Sequence, residues 1–194
     1  SGAFGCWKLG VSETYCNKDK SEFTTDEKRA FAIQQSEIRA KREAESEAKH
    51  QQSEVNVNEK WSNIDVVKHH PYLVDKGVRS YDLRQENGSL QIPLFNVDGE
   101  MVNIQSINAK GEKRFTKGAE KKGCFYLLGE VTDTILFCEG YSTGASIYEA
   151  TKIATAICFD SGNLKPVALE LSSKHPNAKL LIAGDDDSHN EVNT

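Results

Sequence analysis

The sequence has 194 residues, of which 27% are charged and 38% hydrophobic, and its formal net charge is −5. This length allows one hydrophobic core, or one core with a small appendage. No apolar run approaches the roughly 20 residues that span a bilayer, and no basic segment followed by an apolar stretch opens the chain. These features predict a soluble chain with no visible secretory signal, and they predict a cytoplasmic location.

The first two segments read as a hairpin and a long helix. Residues 1–22 combine glycines, aromatics and short alternating stretches, which indicates the end of an N-terminal module. Thr24 and Glu27 have the spacing of a capping box, which predicts a helix from there to about Glu54. This helix is polar nearly all round, so residues 23–58 are interpreted as a linker in solvent. A coiled coil is the alternative, but no apolar heptad persists beyond Ile38.

The middle segment, residues 59–130, contains three evenly spaced turn signals, at Asn87-Gly88, Asp98-Gly99 and Lys110-Gly111. The first two favour tight two-residue turns. Strand-like stretches lie between them, at 90–95 and 101–107. The pattern predicts an antiparallel meander over residues 79–129, with Cys124–Leu128 as a further strand.

In the last segment, residues 131–194, the spacing of apolar residues changes. Apolar runs at 135–138, 154–159 and 179–183 alternate with helical stretches at 142–152 and 164–173. Strand, helix, strand, helix, strand predicts a parallel sheet with right-handed crossovers. The fold class is therefore α+β: an N-terminal hairpin and linker helix, an antiparallel meander, and then a Rossmann-like α/β portion. Ligands bind such sheets beyond the carboxyl ends of the strands.

Acidic residues follow these strands. Asp185 and Asp187 are two apart, so in extended backbone they lie on one face, roughly 6–7 Å apart, and Glu139 follows the neighbouring strand. Three carboxylates about 5 Å apart repel by roughly 3 kcal/mol per pair at a dielectric near 20. A divalent cation, Mg²⁺ or Mn²⁺, removes that repulsion. The alternative is that the Asp triplet forms only a solvated loop or a helix cap.

Two other sets of residues bear on the chemistry. Residues 110–122 carry six basic and two acidic side chains, a local excess of positive charge that suits phosphate binding or, alternatively, a solvated hairpin face. The five cysteines include no CxxC pair, so no structural zinc site is expected among them. Cys124, Cys138 and Cys158 lie in apolar runs and are predicted to be small buried hydrophobes.

The motifs resemble those of a known family. Residues 135–142, Ile-Leu-Phe-Cys-Glu-Gly-Tyr-Ser, are similar to the first TOPRIM motif, and residues 181–187 to its Asp-x-Asp motif. The stretches His-Pro-Tyr-Leu-x-x-Lys-Gly and Phe-Asp-x-Gly-Asn-Leu, together with a Gly-Glu-Lys-Arg-Phe segment, resemble DNA primases of plasmids, phages and related mobile elements. The resemblance covers most of residues 60–194. It implies that residues 131–194 are a TOPRIM domain and that residues 59–130 are the basic part of a primase polymerase domain.

This resemblance implies a nucleotidyltransferase that makes RNA primers on single-stranded DNA from ribonucleoside triphosphates. Glu139 would be a general acid/base or a metal ligand, and Asp185 and Asp187 metal ligands. Asp160 and Asn163 would line the site, although Asn163 is equally well explained as the N-cap of the helix from Leu164. The residues expected to hold template and nucleotide are Lys113, Arg114, Lys117, Lys121 and Lys122. A replicative helicase or other replication proteins are further expected partners.

Two alternatives stay open, a TOPRIM nuclease and a non-catalytic single-stranded-DNA-binding protein of a mobile element.

The TOPRIM fold normally continues with a helix and a strand after Asp-x-Asp, whereas this sequence ends at Thr194. A zinc-binding template module and a Walker-type loop are also not recognisable in it. We therefore expect a C-terminally incomplete TOPRIM portion, and a chain that binds metal and single-stranded DNA but makes few primers alone.

Overall fold

A computed structural model describes residues 2–6, 11–15 and 24–184. The chain divides into two compact units, residues 1–47 and 48–194. Its architecture is mixed α+β, with a long helix, a five-stranded antiparallel sheet and a mixed sheet that carries helices. This agrees with the predicted α+β class, while the boundaries of several elements differ and the TOPRIM assignment of the last portion stays a prediction.

The first unit confirms the N-terminal hairpin and the capping box. Strands β1 (Gly2–Cys6) and β2 (Val11–Tyr15) pair antiparallel. Helix α1 begins at Thr25. The Thr24 backbone N–H donates to the Glu27 carboxylate over 2.8 Å, and the Glu27 N–H donates to Thr24 Oγ1 over 3.3 Å. These reciprocal bonds satisfy donors that a helix N-terminus leaves free.

Helix α1 spans Thr25–Ser62 and therefore continues past the end predicted near Glu54. Its last turns have an apolar face, because Val57 and Trp61 are one helical turn apart. Val57 is 1% exposed and packs with Met101 and Ile104, and Trp61 packs against the same cluster, which lies wholly within the second unit. The segment that the sequence places after the linker thus begins inside the helix.

The five-stranded sheet has the strand order β3-β4-β5-β6-β7. The strands are Asp65–Val66, Arg84–Glu86, Ser89–Phe95, Met101–Ile107 and Lys113–Phe115, all antiparallel to their neighbours. A short helix, α2 (Pro71–Lys76), lies between β3 and β4. The predicted meander is confirmed from β4 to β7.

The turns are of two kinds. Asn87 and Gly88 both have positive φ, 47° and 73°, which confirms the two-residue turn between β4 and β5. At Asp98-Gly99 the prediction of such a turn is wrong, because the Asn96 side chain closes a longer loop. Asn96 Oδ1 accepts from the backbone N–H groups of Asp98 and Glu100, and only Gly99 has positive φ.

The mixed sheet has the order β11-β9-β10-β8. Its strands are β8 (Tyr126–Leu128), β9 (Thr134–Cys138), β10 (Ala154–Ile157) and β11 (Lys179–Ile182). Strands β9, β10 and β11 are parallel, as predicted, and helices α3 (Tyr141–Thr151) and α4 (Ser161–Lys174) connect them.

Strand β8 corrects the prediction that Cys124–Leu128 extends the meander. It pairs antiparallel with β10 and so forms an edge of the second sheet, while a single bridge between Phe95 and Phe125 links it to β5. The side chains of β8 alternate between the two faces of the sheet, so this strand can contribute to the hydrophobic packing on both faces. Tyr126 and Leu128 are part of one buried hydrophobic cluster, and Leu127 packs against another.

Helix α4 begins at Ser161, three residues before the predicted start at Leu164. Asp160 is the N-cap, since its Oδ1 accepts from the Asn163 backbone N–H over 2.9 Å. Asn163 is therefore a first-turn residue, and the interpretation of Asn163 as the cap is wrong.

Helix α3 packs on the sheet through Gly144. A Cβ added there would lie 2.5 Å from Ile157 Cγ1 and 2.9 Å from Cys138 Sγ. We expect Gly144→Ala to lower the free energy of unfolding by about 1–3 kcal/mol because it overpacks the core, even though Ala favours a helix by about 1 kcal/mol over Gly. Urea denaturation measures this, with Ser146→Ala on the exposed face of the same helix as control. An unchanged midpoint in Gly144→Ala would contradict the close packing.

Among the described residues, no helix combines the length and the apolar character needed to cross a membrane.

Candidate functional site

The carboxyl ends of β9, β10 and β11 lie along one edge of the mixed sheet. Glu139 and Gly140 follow β9, and Phe159 and Asp160 follow β10. Strand β11 runs directly beside β9, and the Ala183 N–H donates to the Phe137 carbonyl over 2.8 Å. This is the edge at which the sequence predicts the site.

The predicted acidic cluster is only partly within the described structure. Asp185 and Asp187, with Asp186 between them, lie outside the described residues, so Glu139 is the member whose surroundings are defined. Among residues 24–184, no group of three His, Cys, Asp or Glu side chains is placed to hold a metal ion. The assignment of a metal to Glu139, Asp185 and Asp187 therefore stays a prediction.

Glu139 lines a polar cleft of about 760 Å³. Three parts of the second unit form its walls: helix α2, the β6–β7 turn with the start of β7, and the loops that follow β9 and β10. The lining residues that carry polar or aromatic side chains are Tyr72, Asp75, Lys76, Lys110, Lys113, Glu139, Ser142, Thr143 and Phe159. The volume is within the range of small-molecule sites, about 300–1,000 Å³.

Two charged residues of this cleft, Glu139 and Lys113, are not paired with each other, whereas Asp75 and Lys76 form a salt bridge of 3.6 Å. The half-buried Glu139 carboxylate forms no hydrogen bond or salt bridge to any residue that the structure describes. Lys113 Nζ lies 3.7 Å from the position that a Cβ on Gly140 would occupy, next to Glu139 in sequence. A carboxylate and an ammonium group that face one cleft without forming a pair leave both charges available to a ligand.

Helix α2 is fixed by His70, which is fully buried. The Tyr72 N–H donates to His70 Nδ1 over 3.3 Å, so Nε2 carries the proton and donates to the Gly88 carbonyl over 3.1 Å. Tyr72 joins α2 to the other walls. Its hydroxyl donates to Ser142 Oγ over 3.3 Å, and its ring lies 3.9 Å from the Cβ position of Gly111.

Phe159 has a left-handed backbone, with φ of 72°, although it is a bulky residue. Such a conformation costs on the order of 1–3 kcal/mol, and the surrounding structure must hold it. The ring packs edge-on against Phe115 with centroids 6.0 Å apart, and it lines the cleft. The strained residue thus joins the end of β10 to the end of β7.

Asp160 and Asn163 form a cluster with the 121–124 loop. Lys121 forms a salt bridge with Asp160 and lies over the Phe115 ring, with Nζ 5.2 Å from the centroid. Asn163 is 3% exposed. Its Nδ2 donates to the carbonyls of Cys124 and Cys158, each over 2.9 Å, and its Oδ1 accepts from the Gly123 N–H over 2.8 Å.

The predicted basic residues are separated by the fold. Lys113 lines the cleft, and Lys121 is paired with Asp160. Arg114, Lys117 and Lys122 are exposed and do not line the cleft. Lys113 and Arg114 are consecutive in a strand, so their side chains leave opposite faces. Their role in binding nucleic acid stays a prediction.

Cys124, Cys138 and Cys158 are buried thiols, as predicted. Burial raises the pKa of Cys124 to about 12. Burial, with smaller contributions from neighbours that include Cys138 and Glu139, also raises the pKa of Cys158. Neither thiol is ionised near neutral pH, so they act as apolar packing groups beside the site.

Sequence reasoning did not assign Tyr72, Lys76, Lys110 or Phe159 to the site, and it also missed Asp75, Ser142 and Thr143 in the same cleft. The stretch His70-Pro-Tyr-Leu-Val-Asp-Lys76 was visible as a motif, and the buried His70 with proline at the first helical position is a signal for a short capped helix. This stretch and Glu139 are far apart in sequence, so local sequence patterns could not show that they line the same cleft.

The chain is similar to two curated proteins, each called DNA primase TraC and each from Escherichia coli. It is 35% identical to one over 173 residues, which are 83% of this chain and 16% of that primase. It is 31% identical to the other over 191 residues, which are 94% of this chain and 13% of that primase. The chain thus spans a small part of the relatives that it matches. No protein-family model matches it, and neither does any solved structure.

Proposed function

We propose that this chain is the nucleotidyl-transfer part of a DNA primase, which makes short RNA primers on single-stranded DNA from ribonucleoside triphosphates. The observation that carries the proposal is the cleft, in which the unpaired Glu139 carboxylate and Lys113 lie together at the carboxyl ends of the parallel strands. The distant similarity to DNA primase TraC over most of the chain supports it.

In this proposal, residues 131–194 are a TOPRIM domain in which Glu139, Asp185 and Asp187 hold Mg²⁺ or Mn²⁺. The donor set fits, because carboxylate oxygens are the ligands that these ions prefer. The geometry fits also, since the segments that leave β9 and β11 start at the same sheet edge. The bound ion would neutralise triphosphate charge and lower the pKa of the attacking 3′-hydroxyl.

The chain's own residues position the reactants. Nucleotidyl transfer depends on positioning and charge stabilisation around an in-line displacement. Lys113 would hold a phosphate next to Glu139, and Glu139 would accept the proton of the 3′-hydroxyl or hold the metal. Phe159 and Tyr72 give the cleft a rigid aromatic lining.

The metal assignment predicts that Mg²⁺ stabilises the chain. At a concentration of 100 times its Kd, an ion that binds only the folded state adds about 2.7 kcal/mol. We expect the melting temperature to rise on titration with Mg²⁺ or Mn²⁺, and this rise to disappear in Asp185→Asn/Asp187→Asn. Asp98→Asn, in an exposed hairpin loop, should keep the wild-type response. An equal response in the double variant would place the ion elsewhere.

The experiment that tests the function is a primer assay on the full-length natural protein that contains this sequence. Single-stranded DNA, four ribonucleotides and Mg²⁺ should yield short RNA products that depend on the template. Cleavage of the DNA without RNA synthesis would instead support the nuclease alternative. DNA binding with neither reaction would support the non-catalytic one.

A further inference from the structure

We propose that helix α2 and the β6–β7 turn supply a phosphate-binding wall, in which Lys76 and Lys110 act together with Lys113. The inference rests on the proposed function, since it assigns the residues that hold the substrate's phosphate groups in the same cleft. It also differs from the five residues that the sequence predicts to hold template and nucleotide, because that set contains Lys113 but not Lys76 or Lys110.

The three lysines come from three separate elements and converge on one cavity. Lys76 is in the last turn of α2, Lys110 is in the turn after β6, and Lys113 begins β7. All three line the cleft that Glu139 lines. Neither Lys110 nor Lys113 forms a salt bridge within the part of the chain that the structure describes, and Lys76 has only the exposed Asp75, at 3.6 Å.

The element that carries Lys76 is held rigidly. The buried His70 ring bonds to the Gly88 carbonyl on one side and to the first turn of α2 on the other. At the other end, Gly77 has φ of 63° and its N–H donates to the carbonyls of Leu73 and Val74. A six-residue helix with both ends fixed keeps its last turn, and therefore the Lys76 backbone, in place.

The turn that carries Lys110 is held by Asn108. Asn108 Oδ1 accepts from the N–H groups of Lys110 and Glu112, each over 3.0 Å, and its Nδ2 donates to the Glu112 carboxylate over 2.8 Å. The Tyr72 ring lies 3.9 Å from the position that a Cβ on Gly111 would occupy, so it lies close to this turn. Glu112 is thus engaged with Asn108, so its charge is directed toward the turn and is less available to Lys110.

Phosphate is the ligand chemistry that this arrangement fits. An ammonium group binds phosphate as a point charge, and charge-assisted hydrogen bonds are stronger than neutral ones. Asp75 and Glu139 offset part of the positive charge, which favours a ligand that also brings a cation over a bare anion. A nucleoside triphosphate and the backbone of single-stranded DNA both present such phosphates, and the cleft of about 760 Å³ is large enough for a nucleotide.

The test compares Lys76→Ala/Lys110→Ala with wild type in the 194-residue chain. The control is Lys165→Ala/Lys179→Ala, which removes the same charge from exposed positions away from the cleft. Binding of MgATP and of a twelve-residue oligothymidylate is measured by fluorescence anisotropy at several salt concentrations. Circular dichroism and melting temperature verify that each variant is folded.

We expect MgATP affinity to fall about tenfold or more in Lys76→Ala/Lys110→Ala, since hydrogen bonds to charged groups are the strong ones. If the DNA backbone is the ligand, oligothymidylate affinity falls instead and its log–log salt slope decreases by about 1.4, at about 0.7 per lost contact. Wild-type affinity of the variant for both probes, or no binding of either probe by wild type, would overturn the inference. Primer synthesis by the full-length protein is a separate readout, so either outcome leaves the proposed function to its own test.

Discussion

Glu139→Gln is expected to lower the rate of primer synthesis by at least about 10²–10³-fold, the loss typical of removing one group that stabilises transition-state charge or transfers a proton. The change keeps the shape of the side chain and removes its charge. The carboxylate is half-buried and has no partner among the described residues, so folding does not depend on it. We therefore expect an unchanged melting temperature without metal and unchanged binding of single-stranded DNA.

The matched control is Glu130→Gln, which removes the same charge from an exposed loop residue. Primer yield per molecule should equal that of wild type in this variant. Near-normal synthesis by Glu139→Gln would exclude Glu139 as a catalytic residue. Loss of synthesis together with loss of the metal-induced rise in melting temperature would indicate a ligand role, whereas loss of synthesis alone would indicate proton transfer.

The sequence predicts the parallel part of the fold well because its signals are local. The apolar run before Glu139 and the alternation of strand and helix define β9, β10 and β11 directly. The position of Glu139 at a sheet edge then follows from topology, since parallel strands share their carboxyl ends. The capping box at Thr24 is likewise complete within four residues.

The walls of the cleft could not be predicted in this way. Lys76 and Glu139 are far apart in sequence, and only the packing of α2, through His70 on Gly88 and Tyr72 on Ser142, brings them together. The basic segment 110–122 is a single cluster in the sequence. In the structure, strand alternation and the salt bridge to Asp160 divide its side chains among different surfaces.

Asn163 illustrates the same limit at a single residue. Asn163 follows Asp160 by three residues in the Phe-Asp-x-Gly-Asn-Leu motif, and the sequence predicts that it lines the site or caps a helix. The structure places the amide in the interior, where it holds the 121–124 loop against the start of α4. Both amide hydrogens are used within the protein, so a substrate contact by Asn163 would require this cluster to open.

We expect Asn163→Ala to lower the free energy of unfolding by about 3 kcal/mol or more. The change leaves the Gly123 N–H and the carbonyls of Cys124 and Cys158 without their present partner, and each orphaned buried group costs about 1–3 kcal/mol. Thermal and urea unfolding of the chain measure the loss. Asn177→Ala, at an exposed position in the turn before β11, should leave stability within about 0.5 kcal/mol of wild type.

A second substitution separates the hydrogen bonds from side-chain volume. Asn163→Asp keeps the oxygen that accepts from Gly123 but places another oxygen where Nδ2 now faces the carbonyls of Cys124 and Cys158. A buried carboxylate facing carbonyl oxygens is repelled and poorly solvated. Asn163→Asp should therefore be at least as unstable at neutral pH as Asn163→Ala, although it fills the same space. If Asn163→Asp is as stable as wild type, the amide does not hold the loop, and Asn163 is then free for the substrate contact that the motif suggests.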